Sequence, residues 1–126
     1  MGITYAPIKL RNPSRAELEV EVHAMADSGA VTLCIPEKVA LSLDLQPNGD
    51  TREVTVADGR NTHAPYVGPI EVRFENRHCY TGALILGDEV LLGAIPMEDM
   101  DLVIIPSKQE VSVNPDSPDI PSLKVK

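Results

Sequence analysis

Between Ala16 and Gly29 an alternating strand runs straight into a polar turn, and roughly half the chain later a second apolar run breaks at a glycine. In Ala16-Glu17-Leu18-Glu19-Val20-Glu21-Val22, Leu18, Val20 and Val22 share one face while Glu17, Glu19 and Glu21 share the other. A period of two is the pattern of a strand with one buried and one solvated face. It leads through His23-Ala24-Met25-Ala26 to Asp27-Ser28-Gly29-Ala30, a carboxylate, a hydroxyl and a glycine at a strand end. The counterpart is Val90-Leu91-Leu92-Gly93-Ala94. An Asp-Ser-Gly alone is an ordinary polar turn. Paired with an apolar-apolar-glycine element, it constrains both fold and chemistry.

The chain is long enough for one domain and a single modest core at 126 residues. With one Phe, three Tyr and no Trp, that core falls to Val, Ile and Leu, which suits short strands. Eleven prolines and eight glycines punctuate it as turns would. Val31 to Ile35 reads as a buried strand, and Pro36 to about Leu45 as a short helix with Glu37 in its first turn. Thr51 to Val56 and Thr62 to Tyr66 flank Asp58-Gly59, the dipeptide of a type I′ hairpin turn, with Pro65 at an edge or bulge. Gly68-Pro69 reads as a break, followed by strands at Ile70 to Phe74 and His78 to Leu86. Pro96 to Met100 reads as a second proline-led helix, Leu102 to Ile105 as a buried strand, and Gln109 to Val113 as its partner. The stretch from Pro115 to Ser122 is proline-rich, polar and extended.

Composition excludes several functions. A net charge of −8 argues against nucleic acid and against an anionic membrane surface. Met1-Gly2-Ile3-Thr4-Tyr5 carries no basic or apolar leader pattern, and no run is long enough to span a bilayer, so the expectation is a soluble cytoplasmic protein. Cys34 and Cys79 sit in apolar contexts and read as small core residues. His23, His63 and His78 are scattered, without metal-ligand spacing, so neither a metal nor another cofactor is expected. Gly-x-Ser-x-Gly is absent, as is a glycine-rich phosphate loop.

Carboxylate chemistry is left. Two aspartates held close together cannot both ionise, so one keeps a proton while the other draws a proton from water. Such a pair hydrolyses an amide without metal or covalent intermediate. This chain supplies one suitable aspartate turn, so the second must come from an identical subunit across a two-fold axis.

At these residues the sequence resembles the retropepsin-like aspartic proteases, especially small prokaryotic single-domain members. Asp27-Ser28-Gly29 matches the Asp-Thr/Ser-Gly signature, with serine for the commoner threonine, and Val20 to Met25 matches the lead-in strand. Ile35-Pro36-Glu37-Lys38-Val39-Ala40 resembles the close of the first half, and Val56-Ala57-Asp58-Gly59-Arg60 the flap hairpin. Leu91-Leu92-Gly93-Ala94 is similar to the element threaded beside the active-site loop.

The resemblance implies an all-β, mostly antiparallel barrel or sandwich of acid-protease type with one or two short helices. It implies a homodimeric aspartic endopeptidase acting on a peptide or protein substrate. Asp27 would be the catalytic carboxylate, Ser28 would brace the loop across the dimer axis, and Gly29 would bring a backbone N–H to the carboxylate. Ala57, Asp58, Gly59 and Arg60 would form the flap over substrate, and Ala30, Leu92 and Gly93 would support the site. The protease domain would cover residues 1–113, and residues 114–126 would form a tail available to the dimer interface. Two rivals retain the fold: an inactive dimeric peptide-binding or scaffolding module, and a monomer that acts only when paired with another lobe.

Overall fold

Alternation accounts for the first two strands. The computed structural model describes residues 3–125, so Met1, Gly2 and Lys126 lie outside the described residues. Strands β1 (Tyr5–Asn12) and β2 (Arg15–Ala26) pair antiparallel, with Ile8 opposite Val22 and Leu10 opposite Val20. β1 was not expected as a strand, although Ala6, Ile8 and Leu10 alternate and are all buried. Pro7 obscures the pattern. It is accommodated because β5 pairs with β1 only from Lys9 to Arg11, leaving the edge free at Pro7.

The other strands are β3 (Leu33–Ile35), β4 (Thr51–Thr55), β5 (Asn61–Phe74), β6 (Arg77–Ile85), β7 (Leu91–Leu92), β8 (Leu102–Ile105) and β9 (Glu110–Val113). The main sheet runs β1-β2-β7-β3-β6-β5-β4, and a further pairing of β1 with β5 joins its ends into a ring. β4 hangs outside that ring on the first half of β5, and β8 and β9 form a separate antiparallel ribbon, as expected. The all-β, mostly antiparallel expectation holds. Two pairings depart from it: β2 with β7 and β3 with β6 are parallel. Ile8, Leu10, Leu33, Ile35, Leu43, Ile70, Val72, Leu92 and Met100 are fully buried inside the ring, an aliphatic core as the scarcity of aromatics requires.

Three local expectations are corrected. Gly68-Pro69 does not end a strand, because β5 continues through it with a register shift between Val67 and Ile70. The hairpin turn at Asp58-Gly59 is not type I′, since Gly59 has φ +88° but Asp58 is not left-handed. Gly59 N–H donates to Val56 O and Val56 N–H to Arg60 O, closing a three-residue loop with glycine at its left-handed position. The second helix, α2 (Ala94–Asp99), starts at the Gly93 cap rather than at Pro96.

The first helix, α1 (Glu37–Ser42), is shorter than expected because Asp44 turns left-handed at φ +53°. Asp44 N–H then bonds Leu41 O and Leu45 N–H bonds Ala40 O, the paired closure of a Schellman motif. α2 also ends before a left-handed aspartate, Asp101 at φ +55°, whose N–H bonds Glu98 O. Asp101 also gathers the chain beyond β9: its carboxylate accepts from Asn114 Nδ2 (3.1 Å), Ser117 Oγ (2.5 Å) and Ser122 N (2.9 Å). No strand follows β9 among the described residues.

One buried charge ties β1 to β5. Glu71, 3% exposed, accepts from Arg11 Nε at 2.7 Å and from Arg73 Nη2 at 3.1 Å. Burial raises its pKa, but hydrogen bonding and charge from Arg11, with Arg73 and His78, outweigh that and hold it below the usual 4.5. A carboxyl lowered in this way contributes stability in full above its unfolded value and loses it as pH falls through its folded value. Glu71→Gln is therefore expected to cost about 2 kcal/mol in urea unfolding at pH 7, below the cost for a fully sealed pair because both arginines reach water. The difference between the two proteins should shrink as pH falls below 4.5, and a difference independent of pH would contradict the assignment.

Candidate active site

β2 delivers Asp27 to its position, and β7 holds it there. Met25 lies opposite Leu91 and Ala26 opposite Leu92 in the parallel pair, and Asp27 N–H donates to Leu92 O at 3.0 Å. The turn then closes on itself, with Ala30 N–H donating to Asp27 O at 3.0 Å. Gly29 N–H donates to Asp27 Oδ1 at 2.9 Å. That is the only hydrogen bond to this carboxylate among the described residues, so Oδ2 is left for water or substrate. Asp27 is half-buried, while Ser28 and Gly29 are exposed.

The two glycine elements interlock. Ala94 N–H donates to Ala30 O at 2.8 Å and Ile95 N–H to Val31 O at 2.9 Å. A Cβ on Gly93 would lie 2.2 Å from Thr32 O and 2.7 Å from Ala30 O, distances that only a glycine avoids. Gly93 is extended, at φ −87° and ψ −174°, so close approach and not backbone conformation demands it here. Gly29 is less constrained, because its Cβ would meet only Asp27 Oδ1 at 3.2 Å.

Above the turn, hairpin β4–β5 encloses a cleft of about 970 Å³. Its walls are mostly apolar, built from Val31, Val54, Leu84, Leu86, Leu91 and Ile95, with Asp27 among its lining residues. Of the residues expected from sequence, Asp27, Gly29, Ala30 and Ala57 line the cleft. Leu92 and Gly93 are buried; Leu92 acts through its carbonyl on Asp27 N–H and Gly93 through the close approach its missing Cβ allows. Asp58, Gly59 and Arg60 are exposed at the hairpin tip, where Arg60 Nε pairs with Asp58 at 2.6 Å, and they do not line it. Val56, quoted with the flap hairpin, lines the cleft too, whereas Arg52, Val54, Tyr66 and Leu84 were not anticipated. The alternation of β4 offered the only available hint.

The thiols are buried and held in their neutral form. Cys34 lines the cleft but is 5% exposed, and burial, then the Asp27 charge, raises its pKa. Burial pushes Cys79 up to about 12. Among the described residues no group of three or more His, Cys, Asp or Glu is placed to hold a metal ion, and no helix is long and apolar enough to cross a membrane.

No protein-family model and no curated protein matches the sequence. Solved structures do match the fold. The retroviral protease-like domain of Ddi1 from Leishmania major superimposes with a TM-score of 0.62 at 15% identity, over 91% of this chain and 90% of that one. The Simian Foamy Virus (mac) protease aligns over 72% of this chain and 90% of its own, at 20% identity and a TM-score of 0.46. The chain has a retropepsin-like fold.

Two outcomes follow from the packing. Gly93→Ala must displace backbone, so it is expected to cost about 1–3 kcal/mol in chemical unfolding, against well under that for Gly29→Ala. Equal costs would mean that the interlock is not tight. Thiol labelling of native protein at pH 8 should leave Cys34 and Cys79 unmodified, with both reacting after unfolding in urea.

Proposed function

We propose that this protein is an aspartic endopeptidase whose catalytic dyad is Asp27 and its symmetry mate in a homodimer. The observation that carries the reading is a half-buried carboxylate, held by backbone bonds, among the lining residues of a mostly apolar cleft of about 970 Å³. A structural carboxylate has no need of a cleft, and a structural turn has no need of a second loop locked beneath it.

Two further features support assembly. The Ser28 hydroxyl is exposed and has no hydrogen-bond partner among the described residues, which suits a bond to the other subunit. Val31 and Ile95, 69% and 48% exposed, stand beside the turn as an apolar rim for a second copy to cover.

Across the two-fold axis the paired carboxylates share one proton. The ionised one takes a proton from a water molecule as its oxygen attacks the peptide carbonyl, and the protonated one donates to the developing oxyanion. Collapse of the tetrahedral intermediate breaks the C–N bond, with the leaving nitrogen taking a proton from the dyad. Gly29 N–H steadies Oδ1 throughout. Apolar cleft walls exclude competing water and bind substrate side chains, while the β4–β5 hairpin covers the site.

The test is a peptide-library digest from acid to neutral pH, with sedimentation of the same samples. A bell-shaped pH profile is expected, reflecting the singly protonated dyad. Asp27→Asn should lower cleavage by roughly a thousandfold or more while the dimer persists. The double change Val31→Glu with Ile95→Glu should give a folded monomer without activity. Equal cleavage by the wild type and Asp27→Asn, or none by either, would reject the peptidase.

A further inference from the structure

Four of the six arginines pair with carboxylates among the described residues, and of the other two only Arg52 is exposed. Arg11 and Arg73 pair with Glu71, Arg15 with Glu17 and Asp44, and Arg60 with Asp58. Arg77 is buried and donates to Ser117 O. Arg52 has no carboxylate partner among the described residues. Its guanidinium lies over the Tyr66 ring, 4.0 Å from the centroid, and its one hydrogen bond runs from Nη1 to its neighbour's carbonyl, Thr51 O, at 3.2 Å.

The ring is held against the backbone beneath it. A Cβ on Gly82 would fall 1.9 Å from Tyr66 Oη and 2.1 Å from Cζ, so the phenol occupies the space a side chain at that position would need. A guanidinium held over a fixed ring is kept in place, and its N–H groups other than the one on Thr51 O have no partner among the described residues. The N–H edge of a guanidinium is matched to the two oxygens of a carboxylate. In a chain of net charge −8, an exposed arginine left without a carboxylate is a departure from the pattern of its neighbours.

Its location gives it a role. Arg52 and Tyr66 both line the cleft that contains Asp27, and among the described residues Arg52 is the only cationic side chain there. Tyr66 also lines a second hollow of about 260 Å³, bounded by Gln46, Asn48, Asp50, Pro69 and Gly82, which does not include Asp27. The stacked pair thus marks the passage from the apolar cleft to a polar extension. Glu53 lines the cleft as well, but alternation along β4 sends it to the other face from Arg52, and the two form no ion pair.

We infer that Arg52, stacked on Tyr66, is a specificity-determining residue that binds an acidic side chain of an extended peptide, at a position removed from the apolar residues beside Asp27. The inference rests on the cleft being a peptide site. Val54 follows Arg52 along the same face of β4 by two residues, roughly 7 Å of extended chain. A peptide paired with the hairpin would therefore present an apolar side chain at Val54 and an acidic one about two residues further along.

The experiment uses fluorescent peptides with a constant apolar core and a Glu, Gln or Lys placed at each flanking position in turn. Cleavage is measured with wild-type protein, and binding by anisotropy with Asp27→Asn protein. At one position Glu should be favoured over Gln by roughly tenfold in both readouts, with Lys disfavoured. Arg52→Met, which keeps the aliphatic stem on the ring, should erase the preference, and Arg52→Glu should reverse it in favour of Lys. That charge reversal is a result a merely structural arginine would not produce. Cleavage without preference at any position would overturn the subsite and leave the peptidase standing. Acid-selective binding reversed by Arg52→Glu, without any cleavage, would uphold the subsite and reject the peptidase. No binding of any peptide would overturn the subsite.

Discussion

The contact on which the rest depends is the seam where β7 and Gly93 pass between β2 and β3. Residues from opposite halves of the sequence meet there through backbone groups: Asp27 N–H to Leu92 O, Ala94 N–H to Ala30 O, and Ile95 N–H to Val31 O. β7 is only two residues long, and its parallel pairing with β2 would be weak in isolation. The absence of a Cβ at Gly93 makes it durable, because the chains approach closely enough for every one of those bonds to form. The seam also completes the ring, so sheet closure and the fixing of the aspartate turn are one event. Geometry carried by backbone bonds and a glycine leaves the flanking side chains free to vary. A fold shared with the Ddi1 domain at 15% identity is consistent with that economy.

What could be read from sequence was local. β2 declared itself through Leu18, Val20 and Val22, the β4–β5 hairpin through Asp58-Gly59, and the β8–β9 ribbon through two short apolar runs. The pairings that make the ring were not legible, because they join distant segments and leave no periodic trace in either one. Pro7 hid β1, and Gly68-Pro69 suggested a break where β5 in fact shifts register and continues. In the site, Asp27 and Gly93 were visible as motifs, since each sits at a turn whose residue types are restricted. Arg52 and Tyr66 were not visible. Nothing in Thr51 to Tyr66 announces that the ring lies down on Gly82, which comes from the next strand.

The charged groups divide by their surroundings. Glu71 is buried and satisfied from two sides, so its work is to join β1 to β5. Asp101 accepts from three partners around one turn and binds the chain beyond β9 to the body. Asp27 differs from both. It carries a single backbone donor, faces a cleft, and has no cation paired with it among the described residues. A carboxylate saturated with donors is stabilised as an anion and is a poor proton acceptor. One left with a free oxygen is open to hydrogen bonding by what enters the cleft.

That incompleteness has a consequence for the peptidase reading. A single Asp27 turn supplies one carboxylate, one hydroxyl without a partner among the described residues and one exposed apolar rim, and under the proposed dimer a second copy would complement all three at once. Because the same surface would both bury Val31 and Ile95 and bring the two carboxylates together, association and catalysis could not be separated by distance. Below the dimer dissociation constant, activity would then fall with the square of chain concentration rather than in proportion to it. The Arg52 stack lies on one chain alone, so a monomer would retain that contact while lacking the dyad. Recognition would be a property of the fold, and hydrolysis a property of the pair.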